Sequence, residues 1–225
     1  MRTDSVFSAS ALQAHIAMIL ISGISLAVSI QPPTQISALR VAALAYSPMI
    51  FPVVTTLVFG LFAVSRGALL ASEAGNRLVR SRLVLRAMQQ ISFGLLVLLP
   101  FYVFSRALLP TGTRGVLALL GYSLLFGLFA CVASFHLESH RVRERRSAFL
   151  LRYTFYLAFC LIPFALGTIS ESVSFFLSLS PMGFAIEVVQ GISAVQAALG
   201  CVVPFLGLII VLMRLQRADR RHHAF

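Results

Sequence analysis

The chain has 225 residues, of which 59% are hydrophobic and only 11% charged, and its mean hydropathy is +0.93. Soluble domains carry roughly 25% charged residues, so this composition excludes one or two soluble domains and favours a protein whose apolar side chains face lipid. The net charge of +11 does not indicate nucleic-acid binding, because the basic residues, all of them arginine, stand in short clusters between long apolar runs.

Six stretches are apolar over the length of about 20 residues that a bilayer core requires. We therefore predict an all-α fold, a polytopic membrane helix bundle with about six transmembrane helices, formed by residues 1–225 as a single domain. The second of these spans contains Pro48 and Pro52, which predict a kink. The six predicted spans are 12–30, 41–65, 87–108, 115–135, 148–169 and 188–213.

The distribution of arginine predicts the orientation of the spans. Fifteen arginines fall on one side, in the link between spans two and three, the link between spans four and five, the C-terminal tail and the N-terminus. Only Arg40, Arg106 and Arg114 fall on the other side. Because arginine-rich segments remain in the cytoplasm, both termini are predicted to be cytoplasmic, in the inner (plasma) membrane of a bacterium. Residues 1–30 have an alternative interpretation as a cleaved signal peptide, which would leave five spans.

Two of the connecting segments have distinctive compositions. Segment 170–187, on the arginine-poor side, is apolar enough for a short interfacial helix or a partial re-entry into the membrane. Segment 66–86 mixes arginine with leucine and valine, so a helix there would have one basic and one apolar face. Such a face suits the headgroup plane or a protein partner.

The sequence lacks the residues of several kinds of chemistry. Without lysine it has no P-loop, so any nucleotide hydrolysis is expected in another chain. The seven acidic residues lie in loops, in tails or at span ends, and only Glu187 approaches the position that an ion-coupled carrier requires. We find no hydrolase motif, and we expect neither catalytic residues nor a cofactor.

Three histidines leave a metal or haem site open as a third interpretation. His15, His136 and His140 are predicted at one depth near the cytoplasmic ends of their spans. The last two are four residues apart, a spacing that places them on one helix face. No carboxylate or thiol evidently completes a ligand set, and we therefore assign no metal site.

Two stretches resemble the permeases of the type-two ABC exporters, which have six spans and cytoplasmic termini. In that family an acid-x-Gly signature introduces a coupling helix after the second span, as Glu73-Ala74-Gly75 does here. A proline followed by an acid often stands before the last span, as Pro181 and Glu187 do here. The resemblance implies an external gate at Pro181 and Glu187 and a docking site for a separate ATPase subunit at Glu73, Gly75, Arg77, Arg80, Arg82 and Arg86.

The link between spans four and five departs from this family, in which it is usually short. Here it is rich in arginine and is a second candidate for partner binding, with Arg141, Arg143, Arg145 and Arg146. The chain also faintly resembles the small Yip-like trafficking proteins, which implies a non-catalytic membrane scaffold. In either case the expected partners are anionic lipid headgroups on the cytoplasmic face, with homo- or hetero-oligomers possible, and no nucleic acid.

Overall fold

A computed structural model describes residues 9–30, 38–74, 80–108, 112–139, 145–169 and 175–222. Apart from short turns, these ranges are helical throughout, as the sequence predicts. Pro48 and Pro52 lie within one long helix without ending it, whereas Gly191 follows the end of a short helix. The eight helices are α1 (Ala9–Ile30), α2 (Ala38–Ala74), α3 (Arg80–Leu108), α4 (Thr113–Ser139), α5 (Arg145–Ile169), α6 (Phe175–Leu179), α7 (Pro181–Gln190) and α8 (Ala194–His222).

Six of these helices are long and apolar enough to cross a membrane, which confirms the predicted number of spans. The chain is therefore an integral membrane protein. Helices α6 and α7 are the two described helices that are too short to cross. The spans are Leu12–Ile30, Pro48–Ser72, Arg82–Ala107, Thr113–Glu138, Leu150–Ile169 and Ala194–Gln216.

Successive spans run in opposite directions. The Phe51 amide near the start of the α2 span donates to Ser29 Oγ at the end of α1, at 3.0 Å. Arg152 near the start of the α5 span pairs with Glu138 at the end of α4. This alternation gathers most of the described arginines at one end of the bundle, which we call the arginine-rich end. Among the arginines whose side chains the structure describes, it holds Arg66, Arg82, Arg86, Arg152 and Arg214, and the opposite end holds Arg106 and Arg114.

Helices α2 and α4 form the centre of the bundle. Their backbones touch at Gly67, where a Cβ atom would collide with the carbonyl oxygen of Cys131. Within the most apolar windows, 61% of the α4 residues and 50% of the α2 residues are buried, against 17% in α5 and 11% in α8. Helices α5 and α8 therefore turn most of their apolar surface towards lipid.

The last span begins six residues later than the sequence predicts. Gly191, with a φ of 98°, adopts the left-handed conformation that ends α7. Residues 191–193 separate α7 from α8, which starts at Ala194. The sequence analysis placed Glu187 at the end of the last span, but it lies on the short helix α7.

The second span also differs, because it runs from Pro48 to Ser72 where the sequence analysis placed it at 41–65. The third span begins at Arg82 and not at residue 87, so Arg82 and Arg86 lie in its first turns. Arg66, which the charge pattern placed in a cytoplasmic link, consequently lies inside α2 and is only 1% exposed. Its guanidinium carbon stands 4.9 Å from the centre of the Phe62 ring, one helical turn earlier. A cation over an aromatic face is a favourable contact in a site that excludes water.

Candidate functional site

Helices α6 and α7 form a hairpin that enters the bundle from the end opposite the arginines. Its tip is Ser180, which connects the two helices. The Ser180 hydroxyl donates to the carbonyl oxygen of Cys160 at 2.7 Å and accepts from the Met182 amide at 3.2 Å. One side chain therefore caps α7 and holds the tip against α5.

The tip contacts α5 about halfway along the length of its span. Cys160 stands nine residues before the end of the span Leu150–Ile169, a rise of about 14 Å in a helix. A bilayer core is about 30 Å thick, so Ser180 reaches roughly half of its depth. Of the two arrangements that the composition of segment 170–187 indicated, an interfacial helix and a partial re-entry, this contact favours the partial re-entry.

Close packing fixes the hairpin in the bundle. A Cβ atom at Gly183 would collide with the carbonyl oxygen of Leu177, so the two helices meet backbone to backbone. The Phe184 ring stacks on the Tyr122 ring of α4, with 4.1 Å between the ring centres. On its other side, Phe184 fills the space that a side chain at Gly200 of α8 would need.

A carboxylate connects the hairpin to the last span. Glu187 accepts a hydrogen bond from the Ser178 hydroxyl at 2.7 Å and one from the Gln196 amide at 3.5 Å. The two hydrogen bonds stabilise the charged form of the Glu187 carboxyl. The carboxyl thus joins α6, α7 and α8 at the opposite end of the bundle from the arginines.

Tyr122 brings a further polar atom to the hairpin. The residue is completely buried, and its hydroxyl forms no hydrogen bond with any residue in the described ranges. A buried polar group that lacks a partner costs about 1–3 kcal/mol. A hydroxyl in such a place is commonly satisfied by an ordered water.

The two residues predicted as an external gate lie on the same short helix. Pro181 is the first residue of α7 and is buried, and Glu187 lies six residues later on the same helix. Their neighbours Ser178, Ser180 and Gln196 were not predicted as site residues. Proline at the first position of a helix after a serine is a capping pattern that the sequence already contained.

The predicted partner-binding residues are only partly described. Arg82 and Arg86 are exposed on α3, four residues apart and so on one face. Glu73 lies in the last turn of α2, Arg80 begins α3, and Arg145 and Arg146 begin α5. The remaining predicted residues, Gly75, Arg77, Arg141 and Arg143, lie outside the described residues.

The histidines do not assemble a metal site within the described ranges. No group of three histidine, cysteine, aspartate or glutamate side chains converges there. His15 packs edge-on against the Phe62 and Phe93 rings, at 4.8 and 5.3 Å between ring centres. His140, the third residue of the predicted cluster, falls outside those ranges.

Comparison with known proteins adds no family to this description. No family model matches the chain, and no curated protein and no solved structure matches it.

Proposed function

We propose that this chain is a transport protein, the membrane-spanning permease subunit of an exporter driven by a separate ATPase chain. The observation that carries the proposal is the re-entrant hairpin with its tip at Ser180. Helices that break at mid-membrane depth are a feature of transporters, in which they surround the solute. Irregular backbone is tolerated at that depth only where protein buries it or where it lines a cavity.

The polar groups around the hairpin fit this role. Ser178, Glu187 and Gln196 form a hydrogen-bonded group between the hairpin and the last span. The Tyr122 ring on the neighbouring helix stacks on the Phe184 ring. Movement of α7 against α4 and α8 would change both sets of contacts at once, which is the behaviour required of an external gate.

The dependence on a partner ATPase rests on the sequence and on the arginine-rich end. The chain contains no lysine and so has no P-loop of its own. Arg82 and Arg86 present a pair of exposed cations on α3. Arg82 stands seven residues after Gly75, the last residue of the acid-x-Gly stretch that resembles the start of a coupling helix. An ATPase subunit with an acidic docking groove would meet both cations.

Charge reversal at this pair tests the proposal. We expect purification of the tagged chain in mild detergent to recover a stoichiometric P-loop ATPase. In the R82E/R86E variant the recovery should fall about tenfold or more, because attraction becomes repulsion on the docking face. The measurement is quantitative mass spectrometry of the eluate, together with its ATP hydrolysis rate.

The matched control is R106E/R114E, which reverses two exposed arginines at the opposite end of the bundle. The control should retain the ATPase. Purification that never recovers an ATPase would contradict the exporter and would favour the membrane scaffold. Equal losses in both double variants would show that the charge reversal damages the fold and not a docking face.

A further inference from the structure

Helix α8 has a weak point at Pro204, near the middle of its span. Proline has no amide hydrogen, so the carbonyl oxygen of Gly200 lacks the hydrogen bond that a helix supplies from four residues later. Gly200 itself has no side chain to restrict the backbone at that point. Sharp bends in helices occur at such places. We call residues 194–203, which precede the proline, the arm.

The part of α8 after Pro204 is fixed to the centre of the bundle. A Cβ atom at Gly207 would lie 2.5 Å from the Phe129 ring of α4, so the two helices are in close contact there. Val211 and Leu212, one turn further along, also pack against the core. This part therefore provides a fixed base for the arm.

The arm packs on the hairpin with one face and turns the other towards lipid. A Cβ atom at Gly200 would collide with the Phe184 ring and would lie 2.8 Å from the carbonyl oxygen of Ser178. Gly200 is the one fully buried residue of the arm. On the lipid face, Val195 and Val202 are exposed. The arm can therefore leave the hairpin without unpacking the central helices.

A polar contact fastens the arm to the hairpin. The side-chain nitrogen of Gln196 donates to the Glu187 carboxylate at 3.5 Å. The side-chain oxygen of Gln196 accepts from the Ser193 backbone amide at 3.0 Å, and the Ser193 hydroxyl accepts from the Gln196 backbone amide at 3.2 Å. These two bonds form a capping box, which begins α8 and orients the Gln196 side chain. The nitrogen is thereby held towards Glu187.

We propose that the arm is the moving part of the external gate. It swings away from the hairpin about Pro204, and the hydrogen bond between Gln196 and Glu187 fastens it in the closed position. At 3.5 Å this bond is longer than most, so it can open without a large change elsewhere. The role as a gate rests on the proposed function, whereas the motion itself does not require transport.

Distances between two nitroxide labels on the full-length chain in lipid nanodiscs test the motion. The labels are attached to V195C on the arm and L117C on α4, which are exposed positions towards the same end of the bundle. The three native cysteines are replaced by alanine. Val195 lies nine residues from Pro204, about 14 Å along a helix. A bend of about 20° therefore moves it by about 5 Å.

The Q196E variant should open the arm. A carboxylate at this position still completes the capping box but repels Glu187. We expect one narrow distance distribution in the otherwise native chain, and in Q196E a second population shifted by about 5 Å. The double variant E187Q/Q196E exchanges the amide and the carboxylate, restores the hydrogen bond and should return the single distribution. A Q196E distribution equal to the native one, or a shifted population that persists in the double variant, would overturn the proposal.

A proline substitution locates the hinge. P204A supplies the missing amide hydrogen, so its addition to Q196E should abolish the shifted population. P100A, which makes the same change within α3, should leave that population in place. Equal effects of the two substitutions would contradict a hinge at Pro204. Since these distances require neither an ATPase nor a solute, a rigid arm would overturn this proposal and leave the recovery of an ATPase, the test of the proposed function, unaffected.

Discussion

Replacement of Gly67 by valine is expected to destabilise the bundle by about 3 kcal/mol, at the upper end of what overpacking costs. At this position α2 and α4 touch through their backbones. An added Cβ atom would collide with the carbonyl oxygen of Cys131 and would lie 2.8 Å from the Cβ atom of Ser134. Neither atom is the end of a flexible side chain, so the two central helices would have to separate.

Separation of these helices would also break a specific contact. The Ser134 hydroxyl donates to the carbonyl oxygen of Val64 across the same interface, at 2.7 Å. Thermal unfolding of the purified chain in detergent measures the effect. The matched control is G121V, since a Cβ atom at Gly121 of α4 would meet nothing within 4 Å. Equal melting temperatures for the two variants would contradict the central α2–α4 contact.

Replacement of Gly183 by valine is expected to open the re-entrant hairpin, with a cost of about 2 kcal/mol. A Cβ atom at Gly183 would collide with the carbonyl oxygen of Leu177 and would lie 2.8 Å from the Cα atom of the same residue. Helix α7 would then move away from α6, and the hydrogen bond from the Ser180 hydroxyl to the Cys160 carbonyl oxygen would break. Under the proposed function, transport should fall about tenfold because the gate would no longer form.

The readouts for this variant are thermal unfolding and the ATP-dependent flux of the reconstituted exporter. M182V is the control, since it introduces the same β-branched side chain at the neighbouring, half-buried position of α7. It should retain both stability and flux. A G183V protein that transports as well as M182V would contradict the role of the hairpin as a gate, whatever its melting temperature.

The composition of the chain was sufficient to predict most of the architecture. The number of spans follows from the length and polarity of the apolar runs, because lipid imposes one simple requirement on every span. For the same reason segment 170–187, which is apolar but too short to cross, was predicted to form either a short interfacial helix or a partial re-entry. The start of the last span was wrong because a single left-handed glycine, Gly191, ends α7 and separates it from α8.

Contacts between distant parts of the chain could not be predicted from the sequence. Arg66 was placed in a link because charge favours water, whereas its contact with Phe62 keeps it in the bundle. Tyr156 donates to the carbonyl oxygen of Leu57, which is 99 residues earlier in the chain. The partners of Glu187 depend in the same way on how the hairpin packs, so a single sequence contains no pattern that pairs them.

The depth of the hairpin tip is the most direct test of the proposed transport function, because the re-entrant break carries that proposal. The chain contains no tryptophan, so all of the tryptophan fluorescence comes from the single one that is introduced. Met182→Trp places it beside the tip, and Leu161→Trp and Ile169→Trp, 50% and 76% exposed on α5 in the native chain, provide the deep and shallow references. The reading is fluorescence quenching by lipids brominated at known depths.

We expect Met182→Trp to be quenched most by bromine near the ends of the acyl chains, as Leu161→Trp is. That result would place the break between α6 and α7 at mid-membrane. Quenching mainly by bromine near the headgroups, as for Ile169→Trp, would place both short helices on the membrane surface and would contradict the proposed gate.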